Sequence, residues 1–191
     1  MKIKVLSIAC LLASAVYANA QKFVTYKEAA DPVPVSERSV AEWGNVGKLK
    51  AQWVSADSLY SRSEVPVATE NKCSVDGWKG ERVSAQFLLW SGTGLNGIQC
   101  KVKDFVGESG KISAGAAQAR FVRYTLADEG GENCRCERGP LHPMILAPDM
   151  LDSLKVFNMD AKTVRPVWIT VDIPQNAKPG VYKSSVEVTA K

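Results

Sequence analysis

Val167-Trp168-Ile169-Thr170-Val171-Asp172-Ile173-Pro174 is the stretch that decides the fold. Val167, Ile169, Val171 and Ile173 take every second position, and Trp168, Thr170 and Asp172 fill the places between. That is the period of a strand with one face turned into a core. Pro174 stops it, because a residue without an N–H cannot extend a ladder. Pro179-Gly180 follows with the chemistry of a type II turn. Tyr182, Ser184, Val186 and Val188 then make the inward face of a last strand, with Lys183 and Glu187 outward.

Working outward, the same period recurs. Arg82 to Trp90 carries Val83, Ala85, Phe87 and Leu89 on one face, while Leu88 and Trp90 make the other partly apolar. That pattern predicts a central strand covered on both sides. Ser91-Gly92-Thr93-Gly94 breaks it. Ile98, Cys100 and Val102 alternate with Gln99, Lys101 and Lys103, as do Val122, Tyr124 and Leu126 within Arg120 to Leu126, and Leu49, Ala51 and Trp53 with Lys50 and Gln52. Helical periodicity is scarce: a short piece near Val40 to Trp43, and a turn or two over Asp149 to Leu154. The chain therefore reads as all-β, a two-sheet, mainly antiparallel β-sandwich with a few short helical turns. Val83, Phe87, Val122, Tyr124, Ile169, Val171 and Val186 are expected inside it.

The ends are organised differently. Lys2 and Lys4 precede the apolar run Val5 to Tyr17, and Ala18-Asn19-Ala20 supplies the small-x-small pattern of a cleavage site. Residues 1–20 thus read as a signal peptide, with Gln21 as the mature N-terminus, and the protein is expected to be exported to the periplasm, cell surface or medium. The run is too short to anchor as a membrane span. Lipidation at Cys10 is the competing fate, but Ser7 stands where that processing wants an aliphatic residue, and the apolar run continues past the cysteine. Residues 21–47 are polar and proline-punctuated and read as an extended leader; residues 48–191 carry the sandwich.

Removing Lys2 and Lys4 leaves 22 basic residues against 20 acidic ones. A scattered net charge of +2 gives no electrostatic footprint for nucleic acid or an anionic membrane. Four cysteines remain, Cys73, Cys100, Cys134 and Cys136, as candidates for disulfides in an oxidising compartment. Cys134 and Cys136 cannot easily bridge each other, since neighbours two apart on a strand sit too far apart. A metal site from Cys134, Cys136, the lone His142 and a distant cysteine lacks the paired spacing of structural zinc, so ordinary disulfide or buried-thiol chemistry is the better reading and no metal is expected.

Chemistry-bearing motifs are sparse. No glycine-rich phosphate loop opens a helix, and no cofactor is expected. His142 has no Gly-x-Ser-x-Gly partner, which argues against a triad. Two acids across a sugar bond would suit a glycosidase. The visible pairs, Asp128 with Glu129 and Asp149 with Asp152, read better as a solvated loop and as helix-start or turn chemistry. Trp43, Trp78 and Trp168 are the candidates for stacking on a sugar ring or for meeting another domain.

Three segments carry a resemblance. Trp78-Lys79-Gly80-Glu81-Arg82-Val83-Ser84-Ala85-Gln86 leads into a strand. Arg120-Phe121-Val122-Arg123-Tyr124 precedes Asp128-Glu129 and a cysteine-containing loop. Arg165-Pro166-Val167-Trp168-Ile169-Thr170-Val171-Asp172-Ile173-Pro174 precedes Ala177-Lys178-Pro179-Gly180-Val181-Tyr182. In that order, from about Trp53 to the last residue, they resemble the N-terminal domain of glycoside hydrolase family 123 proteins from Bacteroides-like bacteria. The resemblance implies a parent enzyme acting on β-linked N-acetylgalactosamine by substrate-assisted hydrolysis, its Asp–Glu pair carried by a (β/α)-barrel that follows the sandwich. A barrel alone takes about 250 residues, so the barrel, a partner in cis if the full-length protein continues, is not in this sequence. No catalytic residue transfers. The expected role is a non-catalytic accessory scaffold, and the alternative is a stand-alone carbohydrate-binding module with a glycan as partner. Around Trp168 the scaffold reading expects a broad apolar patch, and the module reading expects hydrogen-bonding side chains beside the ring.

Overall fold

The computed structural model describes residues 2–11, for which the backbone path is given, together with 28–67, 72–127 and 144–191. Its elements are β1 (Lys2–Leu11), α1 (Glu37–Trp43), β2 (Lys50–Val54), β3 (Cys73–Asp76), β4 (Arg82–Ser91), β5 (Leu95–Val102), β6 (Phe105–Gly107), β7 (Gly110–Ile112), β8 (Ala117–Ala127), β9 (Ile145–Leu151), β10 (Phe157–Met159), β11 (Thr163–Asp172) and β12 (Val181–Thr189). They form two sheets. A five-stranded sheet runs β2-β4-β11-β8-β9, and a seven-stranded sheet runs β10-β5-β12-β1-β3 with β6 and β7 attached through β12. The described pairings are antiparallel except β1 with β12. The two-sheet, mainly antiparallel sandwich expected from the alternation is what the chain adopts.

The deciding stretch sits at the centre. β11 pairs with β4 along its whole length, setting Val167 against Phe87, Ile169 against Ala85 and Val171 against Val83. These side chains point between the sheets and meet Tyr182, Val186 and Val188 from β12 and Ile98 and Val102 from β5. Each large aliphatic or aromatic side chain so enclosed contributes about 1.5–3 kcal/mol over leaving it in water. Trp53 meets Phe87 edge-on, ring centroids 5.2 Å apart.

The opposite face of β4 and β11 is also closed over half its length. Leu88, Trp90 and Val164 lie beneath Trp43 of α1 and Val65, forming a second apolar cluster. Ser36 starts α1, its Oγ accepting the Ser39 N–H at 3.2 Å, an ordinary N-cap arrangement. The leader is thus partly a cover for the sheet.

Three expectations are corrected. Val122 and Tyr124 are buried, but outside the inter-sheet cluster: Phe121 stands opposite Val167 and takes the inward place, so Val122 points away. Asp149 to Leu154 contains no helical turn; Asp149, Met150 and Leu151 continue the edge strand β9. Pro148 is tolerated there because an edge leaves one side of the backbone without a ladder. Gly180 has positive φ, but at 154° it departs from the roughly 80° a type II turn needs at that place. Among the described residues no helix is long and apolar enough to cross a membrane.

Candidate functional site

The three candidate tryptophans are not brought together. Trp43, in the leader, is buried against the sheet, 4% exposed, and its Nε1–H donates to the Ser63 carbonyl at 2.8 Å. It belongs to the fold rather than to a site. Trp78 is 82% exposed on the turn between β3 and β4. That turn is built by Gly80, whose φ is 74° and whose N–H donates to the Ile173 carbonyl at 2.9 Å. The positive φ favours glycine there, while a Cβ would meet only the movable end of the Gln175 side chain. The Ile173 N–H donates back to Glu81, and Arg82 forms a paired contact with Asp172 at 2.6 and 3.2 Å. The segment around Trp78 therefore docks onto the end of β11.

Trp168 emerges on the outer face of the five-stranded sheet and is half-buried. It stands between Gln86 of β4 and Arg120 of β8, and the next rung along the face is Ser84, Thr170 and Gln118. Gln86 is occupied: its Nε2 donates to the carbonyls of Ser55 at 3.0 Å and Ser58 at 3.4 Å. Arg120 donates to the Gln118 side chain at 2.6 Å. The broad apolar patch expected around Trp168 is not there; the ring is flanked by hydrogen-bonding side chains.

Of the candidate carboxylates, the two among the described residues, Asp149 and Asp152, do not form an acid pair. Asp152 is buried, accepts from Arg123 Nε at 2.9 Å and from the Leu154 N–H at 2.9 Å, and its own N–H donates to Phe121. It ties the end of β9 to β8, which is turn chemistry. Asp149 is exposed on β9. Asp128, Glu129, Cys134, Cys136 and His142 lie outside the described residues. Among the described residues no three His, Cys, Asp or Glu side chains group closely enough to hold a metal ion.

Cys73 carries a free thiol, half-buried on β3, and burial pushes its pKa up, which makes it a poor nucleophile. Cys100 lies on β5. In the order β5-β12-β1-β3 the two are three strand positions apart. At about 4.8 Å per position that is roughly 14 Å, twice the reach of a disulfide. Cys73 and Cys100 therefore do not pair with each other in this arrangement.

One buried cluster was missed in the sequence. β8 accompanies β11 only as far as Phe121, opposite Val167, and then turns away to pair with β9. Arg165 fills the gap this leaves. Its guanidinium donates to the Val122 carbonyl at 2.7 Å and to both Glu28 oxygens at 2.7 and 2.6 Å. It lies over the rings of Phe157 at 4.3 Å and Tyr124 at 5.0 Å. Arg62 approaches Glu28 at 3.4 Å, and the Tyr124 N–H donates to it at 3.2 Å. Burial alone would raise the Glu28 carboxyl, but the Arg165 hydrogen bonds and charge, the Tyr124 N–H and Arg62 together hold it below its ordinary value. Burial pushes the Tyr124 phenol up, and its hydroxyl donates to Tyr60. Pro166 falls where β11 has lost β8, a setting that tolerates a residue without an N–H. The signal was present: Arg165 holds an inward position in a strand whose other inward residues are Val167, Ile169 and Val171. A cation there demands a carboxylate partner. A groove of about 650 Å³, lined by Trp53, Leu59, Tyr60, Val67 and Cys73, meets this cluster at Tyr60.

Residues 53–190 match the model of the glycoside hydrolase 123 N-terminal domain. The chain belongs to that family. This family 123 N-terminal domain is similar to a solved family 123 glycoside hydrolase from Clostridium perfringens, studied for hydrolysis of glycolipid glycans, with 26% identity and a TM-score of 0.61. The likeness covers 75% of this chain and 24% of that enzyme, so the domain spans about a quarter of its relative. No curated protein matches the chain.

Proposed function

We propose that this family 123 N-terminal domain is the non-catalytic scaffold of an exported glycoside hydrolase acting on β-linked N-acetylgalactosamine, packing against a catalytic barrel that carries the reacting acids. The observation that carries this reading is the match over residues 53–190 to a domain that makes up only a quarter of an enzyme hydrolysing glycolipid glycans. The state of the carboxylates supports it: Asp152 is committed to Arg123, and Asp149 stands exposed on an edge strand. Export is supported by Lys2 and Lys4 ahead of an apolar run that ends in Ala18-Asn19-Ala20. Secreted material should begin at Gln21, a mass that intact-protein mass spectrometry reads directly.

The isolated chain should release nothing measurable from an aryl β-N-acetylgalactosaminide. Turnover that survives purification and disappears on substituting Asp149 or Asp152 would overturn the reading. A second reading has one observation in its favour. Trp168, with Arg120, Gln118 and Thr170 beside it, has the makeup of a small sugar platform, which would make the domain a carbohydrate-binding module.

A further inference from the structure

β12 has β5 and β6 on one side and only β1 on the other, and β3 has no strand partner among the described residues except β1. β1 is Lys2–Leu11, which carries the positive part of the export signal and the first part of its apolar run. Occupying this seat and being cut away after Ala20 exclude one another. A processed chain has β12 with one edge open along its length, and β3 with nothing to pair with. Unpaired backbone groups beside a packed core are costly, and an open edge is a template for whatever strand comes next.

We propose that in the processed chain β3 moves one position across and pairs directly with residues 181–184 of β12, so that the domain covers the first half of the opened edge itself. The proposal rests on the export reading above. Five features of the geometry support it. β1 is parallel to β12 and antiparallel to β3, so β3 already runs antiparallel to β12. The registers coincide: Val5 stands opposite Ser184 on one side and Cys73 on the other, and Ile3 opposite Tyr182 and Val75. A straight shift of about 4.8 Å therefore sets Cys73 against Ser184 and Val75 against Tyr182. Cys73 and Val75 already pack against the inter-sheet core, as Tyr182 does, so no side chain changes face. Asp76 arrives diagonal to Lys183, an opposite-charge neighbour. The turn that follows β3 stays docked on Ile173 through Gly80 and Glu81, and Gly77 lies between the two as the pivot.

Cross-linking tests this. Ser184→Cys places a thiol opposite Cys73 if the strands are neighbours, with Cα atoms about 5 Å apart. With β1 between them the separation is roughly 10 Å and no bond can form. Because Ser184 is buried and donates to the Lys103 carbonyl, a second variant, Ser74→Cys with Lys183→Cys, probes the adjacent rung on the solvent face. Both are made in a chain starting at Gln21 and in the chain retaining residues 1–20, oxidised mildly and mapped by peptide mass spectrometry. The expected result is a cross-link within one molecule in the shorter chain for both variants, and little in the longer one. A folded shorter chain that cross-links at neither rung overturns the proposal. So does a shorter chain that cannot fold, since β3 then fails to cover the edge. Cross-links between molecules through Lys183→Cys alone would show a second copy's β12 in the seat, and would also overturn it. Because the starting residue is set by design, a failure here is independent of whether the cell exports the protein.

Discussion

The outer face of the five-stranded sheet has two halves, made by the same two central strands and finished in opposite ways. Toward one end, Leu88, Trp90 and Val164 are apolar and lie dry under Trp43 and Val65. Toward the other, Ser84, Thr170 and Gln118 are polar, and Trp168 is the one large ring among them, half-buried beside Gln86 and Arg120. The leader covers the first half and stops short of the second. The cover is held by a polar clasp: Glu28 at its start on Arg165 and Arg62, and Glu64 on Ser36 and Ser39. Between these two halves, and among the described residues, it is the polar one that a partner or a sugar could reach. The covered half is internal structure.

That contrast can be broken most strongly where it is driest. Trp43→Ala removes the ring over Leu88 and Trp90 and should cost about 3–5 kcal/mol, read as a large fall in urea midpoint. A loss under 1 kcal/mol would mean that the leader is only draped over the sheet. Glu28→Gln leaves Arg165 buried without a full charge partner and should cost about 2–3 kcal/mol at neutral pH. The sign with pH follows from the lowered carboxyl. A group whose folded pKa lies below its unfolded value stabilises above the unfolded value, ordinarily 4.5 for this carboxyl, and loses that contribution as pH falls through the folded one. Unfolding free energies of the parent and of Glu28→Gln should accordingly begin to converge as pH falls below 4.5 and meet once it has passed the lowered, folded value. Parallel curves down to strong acid would show that the carboxylate does not hold the clasp.

How much of this was legible follows from distance along the chain. The long strands β4, β5, β11 and β12 announce themselves by alternation, and even the two-sided covering of β4 is visible in Leu88 and Trp90. Short strands such as β3, β6, β7 and β10 are three or four residues long, too few to show a period. β9 was misread because Pro148 and Asp149 look like turn chemistry, and only its place at the sheet edge makes them acceptable in a strand. The faces of Val122 and Tyr124 were assigned inward because β8 alternates well on both sides of Phe121, and alternation alone does not say which side is which. Of the clasp only the Arg165 half is legible, because Glu28 and Arg165 are 137 residues apart. Nothing in the polar leader says that its first glutamate meets a cation inside the sandwich.

On the open half the expected effects are small. Trp168→Ala should cost no more than about 1 kcal/mol, since the ring is only half enclosed. Trp78→Ala, on its exposed turn, should change stability by less than about 0.5 kcal/mol. Circular dichroism melts of the two variants within a few degrees of the parent would place both tryptophans outside the folding core. A fall comparable to that of Trp43→Ala would erase the distinction between the halves.

Calorimetric titration of the isolated domain with N-acetylgalactosamine oligosaccharides tests the central claim most directly, because a scaffold and a binding module differ there and in little else. If the domain serves as a scaffold, the titration should show no binding tighter than millimolar, about −4 kcal/mol, and Trp168→Ala should change nothing. Micromolar binding that disappears in Trp168→Ala or Trp78→Ala would contradict the account and make the polar half of the outer face a glycan-binding surface.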